Sequence, residues 1–323
     1  MEVEKRTISL KDYSSFSTSW NTNLIDSYSI DFIEWLQQKK LEKKKTGTAG
    51  CIDTLIAHMT VFLEREYPGQ RLTIGTIDKD FCLRFSEYLF SAHNLRAKQA
   101  RLLAPGSRRQ LFALLKAQLN KAVREGLLTN NPLDTMDRAH IPPLSVSERS
   151  FLTVAEVKAL EVHPACPERV RRAFLFSCFC GLRWSDVRSL RWSDVRKDGD
   201  NWLVAKKMVK TGDWIFIPIN YSARAYMPKQ GSSATEYVFD LPSVVAANGD
   251  IKRWARKAGI SKNVSFHTAR HTFATLLITQ GADLYTTSKL LGHTNISTTQ
   301  IYASIVDEKK WRAVRLLDKL PQQ

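Results

Sequence analysis

Residues 201–219 read Asn201-Trp202-Leu203-Val204-Ala205-Lys206-Lys207-Met208-Val209-Lys210-Thr211-Gly212-Asp213-Trp214-Ile215-Phe216-Ile217-Pro218-Ile219. Residues 202–206 and 214–219 are rich in aromatic and β-branched side chains, and each run is too short for a helix. Lys210-Thr211-Gly212 between them has turn composition, so the stretch predicts two short strands folded back on each other. On either side the apolar residues recur at helical spacing. The fold class is therefore mainly α with a small antiparallel sheet.

Working outward, helical patterns cover about 153–162 and 167–180 before the strands. They cover roughly 243–258, 267–280, 284–291 and 296–304 after them. Thr153, with Glu156 three residues on, has the form of a capping box. Residues 308–320, with Trp311, Val314, Leu316 and Leu317, predict a short amphipathic helix at the end. Towards the N-terminus four more amphipathic helices are expected. The first carries Leu24, Ile25, Tyr28, Phe32, Ile33 and Leu36, and the second Ile52, Leu55, Ile56, Met59, Phe62 and Leu63. Asp78 caps a third through Phe81, Phe85 and Leu89, and a fourth begins near Pro105 with Leu111, Leu115, Leu119 and Val123. Asn130-Asn131-Pro132 stops it, and the stretch around Pro142-Pro143 has linker composition. The expected organisation is an extension over 1–20, a helical domain over 21–132, a linker over 133–150, a second domain over 151–307 and a C-terminal helix over 308–323.

The chain has 323 residues with 48 Lys and Arg against 32 Asp and Glu, a formal charge of +16. Such an excess favours a polyanionic partner, most simply nucleic acid. It is uneven along the chain. Residues 88–124 hold Arg96, Lys98, Arg101, Arg108, Arg109, Lys116, Lys121 and Arg124 with no carboxylate. Residues 251–282 hold Lys252, Arg253, Arg256, Lys257, Lys262 and Arg270, again with none. Two acid-free windows suggest two phosphate-facing surfaces. Arg96, Lys98, Arg101, Arg108, Arg109, Lys116, Arg253 and Arg256 are the candidate DNA contacts. No apolar run approaches the roughly 20 residues that span a bilayer, and no signal-peptide core follows Met1-Glu2-Val3-Glu4-Lys5-Arg6. Five cysteines without paired spacing read as thiols of a reducing cytosol, not as a disulfide frame or a zinc site. The expected location is cytoplasmic, with the nucleoid.

Several familiar sites are absent. No Gly-rich loop precedes Lys-Ser or Lys-Thr, and there is no Gly-x-Ser-x-Gly. His267 and His271 have the spacing of two zinc ligands, but Thr268 stands where a metalloprotease needs Glu. The most basic stretches lack the carboxylates that two-metal nucleases require. No metal and no cofactor is expected. What remains is a set of cations, imidazoles and one tyrosine: Arg183, Lys210, His267, Arg270, His293 and Tyr302. Each alone has an ordinary structural explanation, as a cap or a packed core residue. Together they suit phosphodiester cleavage without metal. Two arginines can grip the non-bridging oxygens bidentately. Imidazoles can donate or move a proton near neutral pH, a lysine can protonate a leaving oxygen, and a tyrosine can attack.

The residues carrying these groups resemble the boxes of the tyrosine recombinase (phage integrase) family. Gly181-Leu182-Arg183-Trp184-Ser185-Asp186 is similar to its first box, and His267-Thr268-Ala269-Arg270-His271 to its His-x-x-Arg box. Leu291-Gly292-His293, followed by Thr298, Thr299 and Tyr302, is similar to the box that ends in the nucleophile. Lys210, eight residues before Pro218, matches the catalytic lysine of the family's β-turn, with Lys206 and Lys207 as competitors. The resemblance covers about 150–320. It implies that Arg183 and Arg270 hold the scissile phosphate, Lys210 acts as general acid, His267 assists as acid or base, His293 donates to the phosphate, and Tyr302 attacks. Asp186 falls where the family often has a supporting acid, and the resemblance implies that it orients an arginine.

It further implies a SAM-like core-binding first domain, double-stranded DNA with short core sites as partner, a Holliday junction, and a synaptic homo-tetramer in which the C-terminal helix is exchanged with a neighbour. About 20 residues before the first helix are too few to fold alone. That favours a two-domain, Xer-like invertase or resolvase. Alternatives are an integrase or transposase of a mobile element, a type IB topoisomerase-like enzyme, and a catalytically silent DNA-binding protein.

Overall fold

The computed structural model describes residues 27–42, 49–97, 99–144, 149–230 and 233–303. The chain divides into two compact units, one within Met1–Ser147 and the other within Glu148–Gln323. The expected extension over 1–20, Lys98 and the C-terminal helix over 308–323 lie outside the described residues.

The first unit is helical: α1 Phe32–Glu42, α2 Ala49–Glu66, α3 Lys79–Ser91 and α4 Pro105–Arg124. Asp78 caps α3 by accepting the Phe81 amide at 2.8 Å, and Pro105 opens α4 where a missing N–H costs nothing. Phe62 lies at the centre of the core, meeting Phe81 and Phe85 edge-on at 5.4 and 5.3 Å. Two sequence expectations shift here. Tyr28, assigned to the apolar face of the first helix, is 63% exposed. The stretch expected to be linker from residue 133 belongs in its first part to this unit. Leu133 and Met136 are buried in the core, and the Ser86 hydroxyl donates to the His140 carbonyl.

The second unit is built around α6, Glu168–Cys180, and α10, Phe266–Thr279. Before α6 comes α5, Val154–Val162, closed by the expected capping box. The Thr153 amide donates to Glu156 at 2.7 Å, and the Glu156 amide to the Thr153 hydroxyl at 3.2 Å. Phe174 of α6 stands edge-on to Trp254 and Phe266, on the two helices packed beside it. The short α7, Trp184–Arg188, leads to the sheet: β1 Val195–Asp198, β2 Asn201–Lys207 and β3 Trp214–Ile219, antiparallel in the order β1-β2-β3. Val204 pairs with Ile217 and Lys207 with Trp214. Val204, Ile215, Ile217 and Ile219 turn inward while Trp214 and Phe216 face out. Then come α8 Tyr221–Tyr226, α9 Val244–Lys257, α11 Leu284–Leu290 and α12 Ser297–Ala303.

β1 was not anticipated. Its sequence, Val195-Arg196-Lys197-Asp198, has one apolar residue, and its pairing with 201–204 alone makes it a strand. Among the described residues no helix is long and apolar enough to cross a membrane. The five cysteines are free, four of them buried and Cys51 half-exposed.

Candidate active site

Two helix ends and one hairpin turn converge on α10. Helix α6 ends at Gly181 with φ +72°, left-handed backbone that suits glycine. A Cβ there would also lie 2.3 Å from Cδ1 of Phe273 on α10, so the turn is pressed against that helix. This brings Arg183, two residues on, to the N-cap of α7. Helix α11 ends the same way, at Gly292 with φ +59°. A Cβ at Gly292 would meet the side chain of Met208 at 2.7 Å, so the turn carrying His293 packs on the strand hairpin.

Arg270, 2% exposed, joins the two turns. Its Nη1 donates to the Gly181 carbonyl at 2.8 Å and its Nη2 to the Leu291 carbonyl. Burial, and then the charge of Arg183, push its pKa down to about 9. Arg183 is half-buried and donates through Nη1 to the Met208 sulfur at 3.1 Å. Asp186 is 1% exposed, and its Oδ1 accepts the Val209 amide at 2.8 Å. Asp186 thereby ties α7 to the backbone of the lysine turn. The same carboxylate also bears electrostatically on Arg270, favouring its charged form.

Lys210 lies exposed on that turn, which Gly212 closes at φ +78° with its amide donating to the Met208 carbonyl at 2.9 Å. Lys206, its competitor in sequence, is occupied elsewhere. Its Nζ donates to the Ser189 carbonyl at 2.9 Å and to Asp194 at 3.1 Å.

His267, Arg270 and His271 share one face of α10, as spacings of three and four dictate. The two imidazoles meet edge-on, with centroids 4.5 Å apart. Partial desolvation, then Arg270, Arg149, Arg183 and Lys210, push the His267 pKa down to about 4. His293 is coupled through Nδ1 to the buried Thr299 hydroxyl at 2.8 Å. Desolvation, Arg270 and Arg183 take it to about 4 as well.

Tyr302, 2% exposed, packs with Phe273, Ala274, Ile278 and Leu291 in a small cluster apart from the main core. Its hydroxyl lies 2.6 Å from His271 Nδ1. Burial raises its pKa, and Arg149, Arg270 and Arg183 oppose that rise. Thus Arg183, His267, Arg270, His293 and Tyr302 come together, with Lys210 on the adjoining turn.

Two neighbours of this cluster were missed in sequence. His271 was weighed only as a zinc ligand, although its spacing already put it beside His267. Arg149 stood in a stretch of linker composition and carried no signal. Among the described residues no group of three or more His, Cys, Asp or Glu is placed to hold a metal ion.

The acid-free windows look different in space. Lys116 pairs with Asp134 at 2.8 Å, and Lys121 with Glu42. Arg253 pairs with Asp250, Arg109 donates to the Pro142 carbonyl at 3.2 Å, and Arg108 donates to the Leu103 carbonyl at 2.9 Å. Arg96, Arg101 and Arg256 are exposed, and Arg96 reaches the Gly50 carbonyl at 3.5 Å. Carboxylates distant in sequence fold back onto several of the cations.

The family model described as "Phage integrase family" matches residues 150–309, and that described as "Phage integrase SAM-like domain" matches residues 30–140. The chain belongs to the phage integrase family of tyrosine recombinases. Tyrosine recombinase XerD of Lacticaseibacillus casei is 30% identical over 64% of this chain and 74% of that protein. XerD of Pseudomonas putida is 32% identical over 62% and 72%. Among solved structures, the Tn1549 transposon integrase in complex with transposon right end DNA aligns over 90% of this chain and 99% of that one, with TM-score 0.66 and 17% identity. A lambda integrase dimer bound to a COC′ core site aligns over 84% and 95%, with TM-score 0.62 and 19% identity. These likenesses carry the fold. As a site-specific tyrosine recombinase, the protein cleaves and rejoins DNA strands.

Proposed function

We propose that Tyr302 is the nucleophile of this recombinase and forms a 3′-phosphotyrosyl link. Arg183 and Arg270 hold the scissile phosphate, His293 donates to it, His267 assists as acid or base, and Lys210 protonates the leaving 5′ oxygen. Asp186 supports the site through the lysine turn. The observation that carries this reading is the buried Tyr302 hydroxyl facing a group of cations and imidazoles from α6–α7, α10 and α11–α12. The positive field there favours both a phosphate and a phenolate.

Tyr302→Phe is the test. It should leave DNA binding intact and abolish covalent protein–DNA linkage; a variant that still links DNA overturns the assignment.

The wider reading is a two-domain, Xer-like invertase or resolvase acting on double-stranded DNA in the cytoplasm, at the nucleoid. The first unit, including the residues from 133 that pack into its core, acts as the core-binding domain, and the second unit as the catalytic domain. Arg96, Lys98, Arg101, Arg108, Arg109, Lys116, Arg253 and Arg256 supply backbone contacts to the duplex. Four protomers recombine through a Holliday junction, and residues 308–323 dock on a neighbour. Truncation before residue 308 should then abolish synapsis while each protomer still binds a half-site. Unchanged synapsis would count against the exchange. Relaxation of a supercoiled plasmid lacking any cognate site would point to a topoisomerase-like enzyme instead.

A further inference from the structure

His271 is given no role by the reading above, yet its Nδ1 is 2.6 Å from the hydroxyl proposed to attack. Both side chains are nearly sealed from solvent, at 7% and 2% exposed. Among the described residues, His271 is the base in direct hydrogen-bond contact with that oxygen. The Arg149 guanidinium beside it and that of Arg270 are donors only. His293 Nδ1 is engaged with Thr299. A guanidinium can only donate, so His271 is the acceptor at hand for the phenol's own proton. The loop that carries Arg149 is tied to the same helix, since the Leu152 amide donates to the Thr272 hydroxyl at 2.9 Å.

We propose that His271 is the general base of strand cleavage, taking the proton of Tyr302 as Tyr302 attacks. This rests on Tyr302 being the nucleophile. In the step, the Tyr302 O–H proton passes to His271 Nδ1 and the phenol oxygen forms a bond to phosphorus. The bond from phosphorus to the 5′ oxygen breaks, and that oxygen takes a proton from Lys210. Rejoining runs the same transfers backwards, His271 returning its proton to the tyrosine.

The surroundings keep this imidazole neutral in the DNA-free protein. Burial and the charges facing His271, from His267 and Arg270 on its own helix, Arg149 on the entering loop and His293 on the next turn, hold it unprotonated, with its pKa down to about 3. The neutral ring has one acceptor nitrogen, and general-base action requires it to be Nδ1, towards the Tyr302 hydroxyl. A phosphate between Arg183 and Arg270 adds the opposing charge and raises the proton affinity of the imidazole.

The test is single-turnover linkage to nicked suicide duplexes, their sequences enriched from a randomised pool by the wild-type protein. Wild type, His271→Ala and Tyr302→Phe are compared across pH, each also with trifluorotyrosine at 302 where a tyrosine is present. His271→Ala should bind these duplexes normally and link them about 100-fold more slowly near neutral pH, a typical loss for a missing general base. The deficit should shrink as pH rises, and the more acidic fluorinated phenol should relieve it. Linkage at the wild-type rate, or a deficit unchanged by both pH and fluorination, overturns the proposal. If His271→Ala does not fold, the fluorinated tyrosine in the otherwise unchanged chain decides. A shifted pH–rate profile supports proton transfer to His271, and an unmoved one overturns it. Tyr302→Phe reports separately on the nucleophile: linkage by that variant would remove the underlying reading itself.

Discussion

The Asp186 carboxylate accepts the backbone amide of Val209 at 2.8 Å, one residue before Lys210. An acid from the first box therefore fixes the turn that carries the proposed general acid. Asp186→Ala should loosen that turn and slow cleavage about 100-fold, the scale expected when a reacting group is misplaced by about an ångström. Asp186→Asn, which keeps an acceptor oxygen, should lose much less. A substrate with sulfur in place of the bridging 5′ oxygen has a leaving group that needs no acid. On it the deficits of Asp186→Ala and Lys210→Ala should both shrink. A deficit of Asp186→Ala that persists on the sulfur substrate would separate Asp186 from the lysine.

Gly181→Ala tests how tightly the first turn is pressed on α10. A left-handed residue with a Cβ costs about 1–2 kcal/mol, before the 2.3 Å approach to Phe273 is counted. For a unit of this size Tm moves about 2–4 °C per kcal/mol. Thermal unfolding should thus fall by about 5 °C or more. Phe273→Leu should recover part of that loss in the double variant, because it relieves the contact and not the backbone angle. An unchanged Tm for Gly181→Ala would mean that the turn is not held against α10.

Much of this architecture was legible because it rests on local chemistry. Asp78 and the Thr153–Glu156 box mark helix starts through short-range hydrogen bonds and Pro105 through its missing N–H, and most of the apolar residues at helical spacing in α2, α3 and α4 lie in the core or against it. What was illegible depends on partners far along the chain. Residues 195–198 are a strand only because 201–204 pair with them. The cations of 88–124 read as an unopposed surface until Glu42 and Asp134 fold onto Lys121 and Lys116. The site shows the same division. Arg183, His267, Arg270, His293 and Tyr302 stand in recognisable motifs. The partner of Asp186 and the approach of Arg149 arise from tertiary contact, which no spacing encodes.

Arg270→Lys should be a damaging exchange despite the retained charge. One ammonium cannot reach both the Gly181 and Leu291 carbonyls, which the two guanidinium nitrogens now satisfy from opposite sides. Leaving one buried carbonyl unpaired costs about 1–3 kcal/mol, and it frees the turn before Arg183 or the turn before His293. Calorimetry should register the lost stability, and linkage to suicide duplexes should fall at the same time. A stable, active Arg270→Lys protein would show that the two turns hold their positions without this bridge.

The three imidazoles set a pH dependence for the DNA-free protein. The folded pKa values of His267, His271 and His293 are held near 4, 3 and 4, against an ordinary 6.5. Each therefore takes up a proton less readily in the folded than in the unfolded chain. The stability linked to their neutral forms is complete above about pH 6.5, where both states are unprotonated. As pH falls below that value the unfolded chain binds protons first, and stability drains away towards pH 4. Carboxylates with lowered pKa values, such as Glu42, Glu156 and Asp283, add their own loss only at more acidic pH. Scanning fluorimetry from about pH 7.5 to about pH 4.5 should show Tm falling steadily across the histidine window. The double variant His267→Gln/His293→Gln should give a shallower fall, because two of the three groups that drive proton uptake on unfolding are gone. Equal slopes for the two proteins would mean that these imidazoles are not held neutral by burial and the neighbouring cations in the folded site.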